Sequence, residues 1–313
     1  MVDEACNEPI KTGLNLSRST IQYFKHNDMA DLEAILQSIA DDDIRLKRDA
    51  TQQRRFIVAE GIYRNTGDVC FLPNILALKN RFRYRLILDE SLSFGTMGAT
   101  GRGITEHFGV SVTEVEIMTV AMDTALGSVG GFCLGTREVV DHQRLSGAGY
   151  CFSASAPPFL SAAALKSLSM LKSDPEILTV LRKNCHALHK GLSAVKGMRL
   201  LSAEVTPVMH LVLDPQLQSW EQECVTIMHI ANNCIHRGIG VLASKFPMTE
   251  GESNSALRPS IRICASATLL PKEIAHAVAE IKKEVALAMT RLKRGSRPSM
   301  GMSTRQSTDM SPR

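Results

Sequence analysis

The sequence predicts an α/β fold, with a large domain on a mostly parallel sheet followed by a smaller C-terminal α+β domain. Three observations carry this. Before residue 157, short apolar runs alternate with helical periods, and such alternation implies parallel strands joined by crossovers. Pro157-Pro158 then stops the pattern, and residues 159–195 read as helix with one break at Ser173-Asp174-Pro175. Beyond residue 195 the style changes to several strands between two long helices. The expected division is a large domain over 1–156, connecting helices over 157–195, a small domain over 196–292 and a basic, disordered tail over 293–313.

Taken in order, Leu32, Ile35, Leu36 and Ile39 recur at helical spacing, with Asn27 or Asp28 as N-cap and an end near Ala40. The charged segment DDDIRLKRDATQQRR reads as a loop or frayed helix end, and RFIVAEGIY as a buried strand, closed by a turn at Asn65-Thr66-Gly67. There follow a helix over Leu72–Lys79, a strand in YRLILDE, a glycine-rich loop from Gly95 to Gly103, a short helix near Val112–Val115 and a strand in EIMTVAMD. A strand in GFCLG, a helix over Glu138–Leu145 and the strand-like YCFSAS complete the large domain. The small domain should contain strands in MRLLSAE, VMHLVLD, GVLASKF and SIRICASA, a helix over Glu221–Arg237 and a closing helix from Pro271 to about Leu292.

Composition narrows the function. Of 36 Lys/Arg and 32 Asp/Glu, six bases and one acid fall in residues 291–313, so the remainder holds 30 bases against 31 acids. A near-neutral body argues against a nucleic-acid groove in the folded part. The eight cysteines are scattered without a C-x-x-C pair, which fits reduced thiols in a cytosol-facing protein. No apolar stretch reaches the roughly 18–20 residues of a spanning helix.

The run SFGTMGATGRG places Gly95, Gly98, Gly101 and Gly103 directly after a strand ending in Asp89-Glu90. Such a loop can cradle phosphate, but its spacing matches neither common glycine motif. The simpler reading is a loop that needs positive φ at several positions. The larger stretch Asp89–Gly103 resembles the D-E-A-H-S-x-G-x-x-G-x-x-G-R-G motif of the α-oxoamine synthases, pyridoxal-phosphate enzymes that condense an amino acid with an acyl thioester. FKHNDMADLE, RRFIVAEGIYRNTG, ALGSVGGFCLG and DHQRLSGAGYCFSASAPP agree in order and spacing, and they resemble in particular the non-catalytic long-chain-base subunits of serine palmitoyltransferase. The resemblance runs from about Leu14 to about Leu292. It implies fold-type I of the pyridoxal-phosphate transferases, with the large domain incomplete at its N-terminus and part of its core uncovered.

Against that family the chemistry departs at two positions. MDTALGSVGG puts Thr124 where active relatives carry the cofactor lysine, and a hydroxyl cannot form an imine. No lysine occurs between Lys79 and Lys166. Leu92 stands at the histidine position of the motif, while Asp89 is retained, either as a vestigial partner of the pyridine nitrogen or as a structural carboxylate. The resemblance also implies that Ser153 and Ser155 reach toward the phosphate of a partner subunit's cofactor, or else satisfy local backbone. His186 and His189 at helical spacing fit a solvated helix face better than a metal site, and His107 and His142 fit loop and interface hydrogen bonding.

What the resemblance implies is a pseudoenzyme subunit paired with a lysine-bearing catalytic homologue. The partner holds pyridoxal 5'-phosphate, the complex takes serine and acyl-CoA, and it works at the cytosolic face of the endoplasmic reticulum membrane. Alternatives are an independently active synthase borrowing Lys166 and a regulatory protein without an enzymatic complex.

Overall fold

In the computed structural model, which describes residues 1–49, 52–244 and 257–295 (293–295 by backbone alone), the chain begins with three short elements. These are β1 (Val2–Asp3), α1 (Glu8–Leu16) and β2 (Tyr23–Phe24), for which the sequence shows no clear period. They persist because β1 lies between β2 and β3 (Phe56–Glu60) with parallel register on both sides.

α2 spans Met29–Arg45 with Asp28 as N-cap, its carboxylate accepting from Ala30 and Asp31 N–H. The helix thus runs a turn past the expected end at Ala40. Asp43, in the segment expected to be loop, is buried and held by Arg55 through two hydrogen bonds of 2.6 and 2.8 Å. That bidentate pair offsets the desolvation of a charge that would otherwise fray the helix end.

The sheet continues through α3 (Leu72–Phe82), β4 (Arg85–Asp89), α4 (Ile104–His107), a 3-10 turn at Val112–Glu114 and β5 (Ile117–Ala121). β3, β4 and β5 pair in parallel. β6 (Gly131–Gly135) departs from the expected parallel pattern and joins β5 antiparallel, giving the order β2-β1-β3-β4-β5-β6. Residues 122–130 between them hold no helix, and a parallel return needs a crossover of about a dozen residues or more.

α5 (Arg137–Ser146) follows, and then YCFSAS forms no strand: Ala148–Cys151 is a helical turn, α6, and residues 152–157 are irregular. All of residues 148–159 are exposed, so their β-forming side chains have no sheet surface to pack on. α7 (Pro158–Ser173) buries only Ala164, whereas α8 (Glu176–Ser193) buries six residues and packs in the second core through Leu181, Cys185, Leu188 and Leu192.

That second core lies between helices and the sheet β7-β8-β10-β9, antiparallel throughout. Its strands are β7 (Met198–Leu200), β8 (Val208–Leu213), β9 (Leu242–Ser244) and β10 (Ser260–Cys264), with α9 (Trp220–His236) and α10 (Pro271–Gly295) laid over them. The end of the GVLASKF strand and tail residues 296–313 lie outside the described residues; the tail expected from 293 begins within α10.

The two sheets meet at the Arg64–Gly67 turn. Ser202 Oγ donates to Thr66 O at 3.0 Å, Thr206 Oγ1 to Gly67 O at 2.9 Å and His210 Nε2 to Arg64 O at 3.0 Å. Gly67 has φ 76°, and a Cβ there would run into the Ser202 side chain and the Val208 carbonyl, so only glycine fits.

Candidate active site at the carboxyl ends of the parallel strands

In open α/β sheets the crevice outside the carboxyl ends of the strands is where ligands bind. Here two adjoining cavities of ≈ 720 and ≈ 610 Å³ occupy that edge and share Asp89, Ser91, Thr119 and Ala121. Phe132, Cys133, Arg144 and Tyr150 close the first, while Ile10, Leu14, Arg64 and Asp123 close the second.

Asp89 ends β4 beside Thr119 in register, and its two oxygens accept from Ser91 N–H and Thr119 Oγ1, each at 2.9 Å. Ser91 is the organiser, because its hydroxyl accepts from Ala121 N–H at 2.9 Å and its carbonyl accepts from Thr124 Oγ1 at 2.6 Å. Thr124 therefore spends its hydroxyl on the chain beside it. Leu92 packs against the large core and is not among the cavity-lining residues. On the neighbouring strand Glu60 lies in register with Asp89. Burial pushes its carboxyl up to about 8, against the hydrogen bonds donated by Arg64 N–H at 3.0 Å and Asn7 N–H at 2.6 Å. At neutral pH Glu60, in register beside Asp89, is therefore mostly protonated.

The glycine loop is not a free phosphate cradle. Gly95, Gly98, Gly101 and Gly103 all have positive φ, as expected of the simpler reading, but the turns they make wrap two carboxylates of this chain. Buried Glu90 accepts from Ile104 N–H at 3.0 Å and from the Ser93 hydroxyl; Glu106 accepts from Thr100 and Arg102 N–H, both at 3.0 Å. The Thr100, Arg102 and Ile104 N–H groups of the loop are thus engaged by this chain's own carboxylates.

The remaining sequence candidates scatter. Ser153 and Ser155 lie exposed in the irregular segment before α7, and Lys166 is exposed on α7, outside both cavities. His186 pairs with Glu204, and His189 Nε2 is 3.3 Å from Ser202 O. His107 ends α4 and His142 is exposed on α5. Among the described residues, no group of three or more His, Cys, Asp or Glu side chains could hold a metal ion, and no helix is long and apolar enough to cross a membrane. Ser91, Thr119 and Arg64 escaped the sequence reading. Thr119 had the one usable signal, its place in a strand next to the Asp89 strand.

Pyridoxal phosphate can be tested against this donor set. An imine to its aldehyde needs a primary amine, yet among the described residues no lysine lines either cavity, and the only cations there are Arg64 and Arg144. Without that amine, the described residues lining the cavities do not fit covalent pyridoxal phosphate on this chain.

Comparison with known proteins agrees with the fold and the motifs. The family model for "Aminotransferase class I and II" matches residues 7–281. Long chain base biosynthesis protein 1 of Arabidopsis thaliana is 42% identical over 235 residues, 75% of this chain and 48% of that protein. Serine palmitoyltransferase 1 of Dictyostelium discoideum is 38% identical over 290 residues, 90% of this chain and 59% of that one. The chain spans about half the length of the curated relatives it matches. A solved serine palmitoyltransferase from S. paucimobilis superposes with a TM-score of 0.79 over 92% of this chain and 67% of that one, at 23% identity. The chain thus belongs to the aminotransferase class I and II family of pyridoxal-phosphate-dependent enzymes, as a homologue of serine palmitoyltransferase subunit 1.

Proposed function

We propose that the chain acts as the non-catalytic subunit of serine palmitoyltransferase, supporting the condensation of L-serine with palmitoyl-CoA to 3-ketosphinganine in sphingolipid base synthesis. The observation that carries this reading is a strand-end crevice keeping Asp89, with Thr124 bonded to Ser91 O and no lysine among the described residues of its lining. A chain so built holds the crevice in shape and leaves amine chemistry to a partner.

That partner, in this reading, is a lysine-bearing homologous subunit that carries pyridoxal 5'-phosphate in a heterodimer. Support for a partner comes from residues 134–165, where Leu145 (84% exposed), Tyr150, Phe152 (91%), Phe159 and Leu165 expose an apolar surface that reaches the first cavity at Tyr150. Ser153 and Ser155 lie within that surface, free to donate toward the partner's cofactor phosphate, and Asp89 serves as a vestigial structural carboxylate. The complex would sit on the cytosolic face of the endoplasmic reticulum membrane, held there through its other parts.

The test is to purify the chain alone and together with a lysine-bearing homologue, then measure bound pyridoxal phosphate by visible absorbance and condensation by product formation. Activity and colour only in the mixture are expected. A yellow lone chain with a mapped covalent lysine linkage would overturn the reading.

A further inference from the structure

At the amino ends of the parallel strands, on the edge opposite the cavities, the chain carries a corner that the proposed function leaves unused. α2 ends there with Ile44 78% exposed and Leu46 49% exposed, set between Arg45, Lys47 and Arg48, which are exposed as well. The Asp43–Arg55 pair ties this end to the start of β3. The Arg55 guanidinium in turn lies 5.9 Å over the Tyr84 ring, and the Arg55 carbonyl accepts from Arg85 N–H at 2.9 Å. Exposed Arg54, Arg83 and Arg85 are thereby gathered beside the α2 end.

The charge at this corner is not balanced. Arg45 pairs with Asp42, and Arg48 lies 3.9 Å from Asp43, but Lys47, Arg54, Arg83 and Arg85 form no ion pair among the described residues. With Asp41 and Asp49 included, residues 41–49, 54–55 and 83–85 hold seven bases against four acids, and Glu116, which accepts from Leu86 N–H beside Arg85, is paired with Lys79. Lys47 and Arg83 occupy φ 52° and 58°, where glycine or asparagine would be the easier choice. Bases near the α2 and α3 C-termini complement the helix dipoles, but that leaves the solvated Ile44 and Leu46 without a reason.

We propose that this corner docks on an anionic bilayer surface, with Ile44 and Leu46 entering the headgroup layer and Lys47, Arg54, Arg83 and Arg85 facing lipid phosphates. Exposed aliphatics ringed by bases fit an interface that is apolar within and negative at its surface. Nucleic acid fits less well, since Tyr84 is only 7% exposed and Phe82 packs against the core, so no ring is presented for stacking. Arg85 at the corner and Asp89 in the crevice stand at opposite ends of five-residue β4, about 13 Å apart, so docking leaves the Asp89 end of the crevice open.

The experiment is vesicle co-sedimentation of the full chain, with phosphatidylcholine alone and with phosphatidylcholine mixed with phosphatidylserine, at low and high salt. Binding is expected only to the mixed vesicles and should weaken with salt. Two variants localise it: Ile44→Ser with Leu46→Ser, and Lys47→Asn with Arg54→Gln, Arg83→Asn and Arg85→Gln. Roughly fivefold affinity should be lost per cation removed, so the second variant falls well over tenfold below the parent, while its circular dichroism stays unchanged. Both variants retain the basic residues after 291, which separates the corner from the tail. No binding to mixed vesicles, equal binding by the folded variants, or binding to a single-stranded RNA oligonucleotide in place of vesicles would each overturn the proposal.

Discussion

His26 lies on the large-sheet side of the Tyr63–Asp68 turn, with Nδ1 2.9 Å from Asp3 Oδ1 and Nε2 3.2 Å from Asp68 Oδ2. His210 lies on the small-sheet side of the same turn, with Nδ1 2.8 Å from Ser260 Oγ and Nε2 3.0 Å from Arg64 O. Both imidazoles are withdrawn from water, and burial by itself lowers the affinity of each for a proton. For His26 the Asp3 and Asp68 hydrogen bonds and charges outweigh burial and raise the pKa to about 9. For His210 burial prevails over the Arg64 carbonyl, and the pKa falls to about 4. One turn is therefore gripped by an imidazolium from one side and a neutral ring from the other, so the partner atoms, rather than the depth, set the charge.

The largest way to break this comparison is His26→Ala. It leaves fully buried Asp3 with the Ala5 and Asn27 N–H groups but no charge partner, and costs about 3–5 kcal/mol of stability in urea or guanidinium unfolding. His26→Gln should recover only the hydrogen-bonding part.

Next come the two pH windows, which run in opposite directions. A raised His26 stabilises fully below its unfolded value of about 6.5, and that contribution, about 3 kcal/mol, is lost as pH rises through about 9. Glu60, raised to about 8, pulls the same way, so the difference between the native chain and His26→Gln isolates the histidine. A depressed His210 works below neutrality. The unfolded ring takes a proton near pH 6.5 while the folded one resists to about 4, so stability falls as pH drops across that interval. Unfolding midpoints measured from pH 4 to 9 in the two histidine variants should each flatten one limb and leave the other.

A smaller effect is expected from His210→Leu, which leaves Arg64 O and Ser260 Oγ without their imidazole partner and costs about 1–3 kcal/mol. Smallest is Ser202→Ala, which removes the hydroxyl that donates to Thr66 O and accepts from His210 N–H, at about 1 kcal/mol. Loss of more than His26→Ala at either position would mean that the small-sheet grip dominates.

Much of the fold was legible in the chain. β3, β4 and β5 are short apolar runs between turn residues, and the positive φ of Gly67 and of the four loop glycines follows from the need for tight turns. Less legible were β1, α1 and β2, too short for a period, and the direction of β6, which depends on what the 122–130 loop omits. YCFSAS was misread because β-formers make a strand only where a sheet receives them. Asp89 and Thr124 of the candidate site came from the motif resemblance, as did Leu92, which packs against the core instead. Ser91, Thr119 and Arg64 did not, since their roles are hydrogen bonds and cavity walls made between elements.

By itself the sequence determined the alternation of strands and helices, the near-neutral body and the absence of any lysine between Lys79 and Lys166, all properties of residue type and order. Only the tertiary structure decided that the glycine loop closes around Glu90 and Glu106, that Thr124 bonds Ser91 O, and that His26 and His210 hold opposite charge states. Hydrogen bonding and proton affinity depend on which atoms burial brings within about 3 Å of one another, and spacing along the chain does not specify that.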